Sequence, residues 1–327
     1  MDQSGVRVLA TGSFLPASVI ENSDLSQFPI SSHELIECKT GIKARRHASP
    51  NQCTSDLAFE AARVCMSKTE VSISCIDAII LATSSPDRIQ PATATRVQDR
   101  LGATQSYAFD VNSVCTGAVF SICIAYSMII SGQAKYILVL AAELYSRFLN
   151  PNDFSTYPYF GDGAGAVLLG PSKDAEGNFL TILGTDGAGH NIIEIPAGGS
   201  MKPSYSTKDE REFFFRMNGR EVYKFAVSKG SHVINELLKR GNCSPRDISA
   251  VIPHQANLSI IRAISENVAI PLDKFVVNLD RFGNTAAASV LIALDEAYSN
   301  GRLKPGQKAI IVAFGGGLSW GGILFTV

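Results

Sequence analysis

Two segments of the chain repeat one plan, and each carries a different polar residue at the same point. Asp110-Val-Asn-Ser-Val-Cys115-Thr-Gly opens an apolar run that closes at Ser131-Gly132 and leads into Lys135-Tyr-Ile-Leu-Val-Leu-Ala-Ala142. Asp280-Arg-Phe-Gly-Asn284-Thr-Ala opens a second run that closes at Asn300-Gly301 and leads into Lys308-Ala-Ile-Ile-Val-Ala-Phe314. Gly132 follows Cys115, and Gly301 follows Asn284, by the same 17 residues. The spacing predicts that both polar groups stand where a buried helix begins. One half of a duplicated fold then presents a thiol and the other an amide.

With 327 residues, 46% hydrophobic and 18% charged, the chain can build two core-bearing units. We expect the halves at 1–172 and 173–327, joined by the loop Pro171 to Asn178. A net charge of −1 and a pI near 6.5 exclude a general nucleic-acid binder, which needs a large excess of Lys and Arg against phosphate. Met1-Asp-Gln-Ser-Gly shows no basic region followed by an apolar run, so no signal peptide is expected. The longest apolar stretch, Ala118 to Ile130, is broken by Ser121, Cys123, Tyr126 and Ser127 and falls short of the ~20 residues that span a bilayer. A cytoplasmic protein with no membrane contact is expected. The seven cysteines contain no CxxC pair, which predicts reduced thiols and no zinc site or other metal.

Hydrophobic patterning predicts strands alternating with helices. Val6 to Ala10, Ile76 to Thr83, Ala108 to Val111, Val167 to Gly170 and Leu180 to Gly184 read as strands. Leu57 to Ser67 and Ala94 to Leu101 read as helices. In the second half we expect helices at Asn218 to Arg240, at Ser259 to Glu266 and from Asn284, with strands at Ala250 to Ile252, Phe275 to Val277 and Lys308 to Phe314. Central strands apolar on both faces need helices on both sides, so an α/β/α/β/α layering follows.

Most cysteines are small buried hydrophobes, and six of the seven carry no context that says otherwise. Cys115 follows a strand and precedes a helix, where the positive helix end favours a thiolate. Val251-Ile-Pro-His254-Gln-Ala-Asn257 places a histidine directly after a buried strand, at the sheet edge where α/β folds hold ligands. His254 should therefore reach the same edge as Cys115. Asn284 has two readings, a helix N-cap or a group pointing into the same cavity as Cys115.

Together Cys115-Thr-Gly, Phe160-Gly-Asp-Gly-Ala-Gly-Ala, Pro253-His254-Gln-Ala-Asn, Gly283-Asn284-Thr-Ala-Ala-Ala-Ser and Phe314-Gly-Gly-Gly-Leu-Ser-Trp-Gly resemble the motifs of the β-ketoacyl-ACP synthase III family of condensing enzymes. Thr40-Gly-Ile-Lys-Ala-Arg-Arg46 extends the resemblance over nearly the whole chain. It implies a five-layered thiolase-like fold, a homodimer, and an acyltransferase with no cofactor beyond its substrates, an acyl-CoA and malonyl-acyl carrier protein. It also implies roles. Cys115 takes the acyl group; His254 and Asn284 donate hydrogen bonds to the malonyl thioester oxygen during decarboxylation; the backbone N–H groups of Cys115 and Gly316 form an oxyanion hole. Phe314 is expected beside the substrate.

Departures from the family pattern concern the primer. A Trp and an Arg that commonly sandwich the adenine of CoA are matched here by Leu35 and Phe154, and a further Arg by Ser259. The residue before Pro91, often a Phe that reaches across the dimer into the acyl pocket, is Gln90. Arg147, in Glu143-Leu-Tyr-Ser-Arg147, is expected near the same pocket. With Ser84, Arg88 and Gln90 it can be read as a site for the far carboxylate of glutaryl-CoA, extended to 3-oxopimeloyl-ACP for biotin synthesis. The alternatives are an acetyl-CoA-primed start of fatty-acid synthesis and a polyketide starter step. Arg220, Lys224, Lys229 and Arg262 are spaced as a docking patch for the acidic carrier protein, or as a solvated helix face. Two other classes stay open on the residues alone, a cysteine hydrolase and a non-catalytic scaffold.

Overall fold

Strands that are apolar on both faces have to be covered on both sides, and here Ala78–Ala82 and Ile137–Glu143 are buried at every position. The computed structural model describes residues 5–172 and 179–327. Its first part contains β1 (Gly5–Phe14), β2 (Ser18–Glu21), α1 (Ile30–Thr40), β3 (Ala44–His47), α2 (Thr54–Met66) and β4 (Ala78–Ala82). There follow α3 (Thr93–Leu101), β5 (Tyr107–Val111), α4 (Gly117–Ile130), β6 (Ile137–Glu143) and β7 (Gly163–Ser172). Then come β8 (Leu180–Thr185), β9 (Ile193–Glu194), β10 (Arg216–Met217), α5 (Gly219–Arg240) and β11 (Ile248–Pro253). The chain closes with α6 (Leu258–Val268), α7 (Leu279–Phe282), α8 (Ala288–Ser299), β12 (Lys308–Gly315) and β13 (Ser319–Thr326). Of the expected connecting loop, Pro171 and Ser172 belong to β7, and 173–178 lie outside the described residues.

Two sheets repeat one order of strand directions. The first runs β1-β7-β6-β4-β5 and the second β11-β12-β13-β8. β4 pairs parallel with β6, β6 antiparallel with β7 and β7 antiparallel with β1. β11, β12, β13 and β8 repeat those relations in the same sequence. β5 has only a reduced counterpart, a single parallel bridge between Val251 and Phe275. The strand expected over Phe275 to Val277 is cut short because the Gln255 side chain takes the main-chain groups a neighbouring strand would use. Its Nε2 donates to the carbonyl of Val276, and its Oε1 accepts from the amides of Asn278 and Leu279.

α4 and α8 lie between the sheets, each touching both, while α2 and α3 cover the outer face of the first and α5 and α6 that of the second. This is the five-layered thiolase-like arrangement expected from the sequence. Small residues let the layers close up. A Cβ on Gly165 in β7 would stand 2.4 Å from the Cβ of Leu291 in α8, so only glycine allows this helix to lie on this strand. Val290, Leu291, Ile292 and Leu294 are then buried in the central layer, each contributing about 1.5–3 kcal/mol. Among the described residues, no helix is long and apolar enough to cross a membrane.

The two central helices end alike and begin differently. Gly132 and Gly301 both take left-handed backbone, φ 76° and 70°, just past α4 and α8. Cys115, however, occupies a 3₁₀ turn (Val114–Thr116) directly before α4, whereas α8 starts only at Ala288. Asn284 is therefore not at a helix start, as its equal spacing from the terminal glycine suggested. α8 is shorter than α4, and ahead of it Asn284 bridges Phe160 and a turn at Ala286 and Ala287 leads into the helix.

Candidate active site

Each functional side chain is set by the end of a central element. β5 runs into the turn bearing Cys115, and Val114 is held there at φ 46°, a left-handed conformation costly for a β-branched residue. Thr116 Oγ1 shares a 2.7 Å hydrogen bond with Ser319 Oγ. Ser319 in turn donates to the carbonyl of Gly316. The turn of the thiol and the glycine turn after β12 are thus tied together.

β11 delivers His254, whose amide donates to the carbonyl of Val312 at 2.8 Å, and whose ring meets Phe314 edge to face with centroids 5.6 Å apart. Asn284 is pinned through its backbone, its amide donating to the carbonyl of Tyr159 and its carbonyl accepting from Gly161. Its Oδ1 accepts from the amide of Ala286 at 2.9 Å. Only an oxygen can accept there, so the Nδ2 amide is the end left free to donate.

These groups share one cavity of about 450 Å³, lined at one end by the buried Cys115, His254, Asn284 and Phe314 and at the other by the exposed Lys39, Ser155 and Tyr223. Ile193, Phe215, Met217, Val222 and Ile260 give it apolar walls. Phe160 lines it too, stacked on Tyr145 at 5.0 Å and packed against Phe215.

Electrostatics in the cavity differ from what a helix end alone would set. Burial pushes the Cys115 thiol up to about 12, with the negative charge of Glu143 adding to the effect. Desolvation and the nearby carboxylate thus act against the helix end, which on the sequence favours the thiolate. Burial also raises Glu143, to about 7, against hydrogen bonds from Ser85 and Ser84. Burial lowers His254 to about 3, so its imidazole is neutral at physiological pH.

Several expected contacts fall elsewhere. Ser84 Oγ donates to Glu143 and pairs with the Tyr145 hydroxyl, so it does not line the cavity. Arg147 does not line it either, because its guanidinium donates to the carbonyls of Ser49 (2.8 Å) and Gln52 (3.2 Å). Arg88 and Gln90 stand on an exposed loop. Phe154 packs edge-on against Phe28 and Tyr159, and Ser259 donates to the carbonyl of Lys39. The turn that carries the expected oxyanion donor Gly316 lies directly on the thiol: a Cβ on Gly315 would stand 2.6 Å from the Cys115 Cβ, and Gly316 itself abuts Val114 and Ile193. Lys229 lies over Trp320 at 4.2 Å, apart from Arg220, Lys224 and Arg262, which are exposed on α5 and α6. Glu143 was overlooked although it ends an apolar strand at the edge that holds Cys115, which was the available signal. Phe215 and Met217 lie in an irregular segment with no periodicity to betray them. Among the described residues, no cluster of His, Cys, Asp or Glu is arranged to hold a metal.

Comparison with known proteins bears on this geometry. The family profile described as 3-oxoacyl-(acyl-carrier-protein) synthase III matches residues 109–187, and that of its C-terminal part matches 238–327. The chain is 41% identical to a β-ketoacyl-(acyl-carrier-protein) synthase III of Clostridioides difficile over 96% of each chain. It is 42% identical to one of a Roseiflexus species over 94% of each. The crystal structure of 3-oxoacyl-(acyl-carrier-protein) synthase III from Aquifex aeolicus superposes with a TM-score of 0.90 at 38% identity, covering 99% of this chain and 100% of that one.

Proposed function

Because the chain belongs to the 3-oxoacyl-(acyl-carrier-protein) synthase III family, and is an acyltransferase of the condensing type, we propose that Cys115, His254 and Asn284 carry its reaction. The observation that supports this reading is one buried cavity end holding a thiol and two neutral hydrogen-bond donors. Cys115 Sγ attacks the carbonyl of an acyl thioester; the thioester C–S bond breaks and the departing thiol takes the cysteine proton. The malonyl thioester then loses carbon dioxide, and His254 and Asn284 donate to the enolate oxygen. The enolate carbon attacks the acyl carbon, the acyl–Cys115 bond breaks, and the released thiolate takes up a proton. A β-ketoacyl thioester leaves. A cysteine hydrolase is disfavoured, because the match to the condensing family extends over 96% of the chain and includes both halves of the duplicated fold.

The primer is the finer question. The apolar walls favour an uncharged acyl chain, because a buried carboxylate without a partner is costly. Of the residues offered for a far carboxylate, Ser84 and Arg147 already have their partners. With acetyl-CoA and glutaryl-CoA in competition, intact-protein mass spectrometry should find Cys115 carrying the acetyl mass in excess. A predominant glutaryl adduct, lost on Arg147→Ala, would restore the dicarboxylate reading.

Malonyl-acyl carrier protein is the proposed extender, docking on Arg220, Lys224 and Arg262. α5 and α6 carry these cations and also give Val222, Tyr223 and Ile260 to the cavity. Charge reversal at Arg220 and Lys224 should raise KM for malonyl-acyl carrier protein several-fold and leave acylation by CoA thioesters unchanged. Equal effects on both would remove the patch. The homodimer that the family resemblance implies belongs to the same proposal. Sedimentation of the chain as a monomer would remove it.

A further inference from the structure

We propose that Ser289 is a positioning residue that fixes the tautomer of His254, keeping the proton on Nε2 and directing it into the cavity. The inference rests on the role given above to His254.

His254 Nδ1 lies 2.8 Å from Ser289 Oγ, and both residues are buried, 2% and 1% exposed. Either atom can be the donor in that pair, so the third partner decides. The backbone amide of Gln255 points at the same Oγ, at 3.3 Å, and an amide N–H can only donate. Ser289 Oγ therefore already accepts one hydrogen bond. Its own hydrogen needs an acceptor, and among the described residues His254 Nδ1 is the one within reach. The opposite tautomer would give Oγ two incoming donors and leave its hydroxyl hydrogen orphaned in a site closed to water. Nδ1 is thus the acceptor, and the proton of the neutral ring sits on Nε2. That nitrogen has no protein partner among the described residues, while His254 itself lines the cavity.

The arrangement is rigid on both sides. Ser289 is the second residue of α8, which the close approach at Gly165 seats on β7. Gln255 is wholly buried, and its side chain donates to the carbonyls of Pro253 and Val276 and accepts from the amides of Asn278 and Leu279. The backbone amide that settles the tautomer is therefore itself clamped. Asn284 is oriented in a parallel manner, its Oδ1 held by the Ala286 amide. Both proposed donors to the enolate oxygen are thus aimed by partners behind them rather than by substrate.

The test uses the full chain labelled with ¹⁵N-histidine. Long-range proton–nitrogen correlation, with the His254 signals identified by their loss in His254→Ala, should show Nε2 protonated and Nδ1 bare. Protonation on Nδ1 in the unmodified protein would overturn the inference, and that spectrum decides even if Ser289→Ala fails to fold. In Ser289→Ala, decarboxylation of malonyl-acyl carrier protein should fall roughly 10- to 100-fold, with Cys115 acylation unchanged. Ser289→Thr, which keeps the hydroxyl, should recover most of the rate. A Ser289→Ala variant that decarboxylates normally, or that loses acylation to the same degree, would also overturn it. If His254→Ala itself decarboxylates normally, the role of His254 fails; if His254→Ala is severe and Ser289→Ala harmless, only the part assigned to Ser289 fails.

Discussion

Cys115→Ala should abolish the acyl-enzyme and with it condensation, by on the order of 10⁶ in rate, the scale on which loss of a nucleophile is felt in covalent enzymes. Removal of the sulfur takes away the atom that holds the primer and leaves the donors of the second step in place. The variant should therefore still release carbon dioxide from malonyl-acyl carrier protein while showing no acyl mass on the intact protein. The unmodified thiol, pushed up to about 12, should react with iodoacetamide at a rate that climbs roughly tenfold per pH unit from neutrality through pH 10. The sign follows from burial and the Glu143 charge, which both disfavour the anion. An alkylation rate that levels off below pH 9 would show instead that the helix end governs the thiol. Condensation by Cys115→Ala would end the proposed chemistry.

The second large effect is expected in the other step. His254→Ala and Asn284→Ala should each lower decarboxylation by ~10² to 10³, or roughly 3 to 4 kcal/mol, the usual cost of one donor to an oxyanion. The two donors serve one developing charge, so the double variant should fall short of the product of the two. Acylation of Cys115 from a CoA thioester should stay within a few-fold of normal in both. Carbon dioxide release and the intact acyl-enzyme mass measure the two steps separately. If acylation collapses along with decarboxylation, the two residues act on the thiol and the division of labour proposed here is wrong.

The legible part of the site lay where local pattern and backbone geometry coincide. Cys115 could be singled out because it follows a strand and precedes Gly117 and a run of apolar residues, and His254 because it directly follows the buried β11. The repeated strand order of the two sheets then carries both to one edge. Less of the substrate contact was legible. Arg147 belongs to a segment beside the site, but whether its guanidinium faces the cavity depends on the loop around Ser49 and Gln52, nearly a hundred residues away, whose carbonyls capture it. The distance from Asn284 to Gly301 places it at a helix start, yet its backbone pairs with Phe160 and sets it ahead of α8.

Alternation and spacing are properties of neighbouring residues along the backbone, so the layered architecture and the central helices could be read from the chain itself, and the family motifs within it point to Cys115, His254 and Asn284 as the proposed reacting groups. Which protons these groups hold, and which way they face, are properties of what meets them in space. The thiol raised by burial beside Glu143, the imidazole left neutral against Ser289 and the amide turned by Ala286 were decided only when distant segments closed over one another and excluded water.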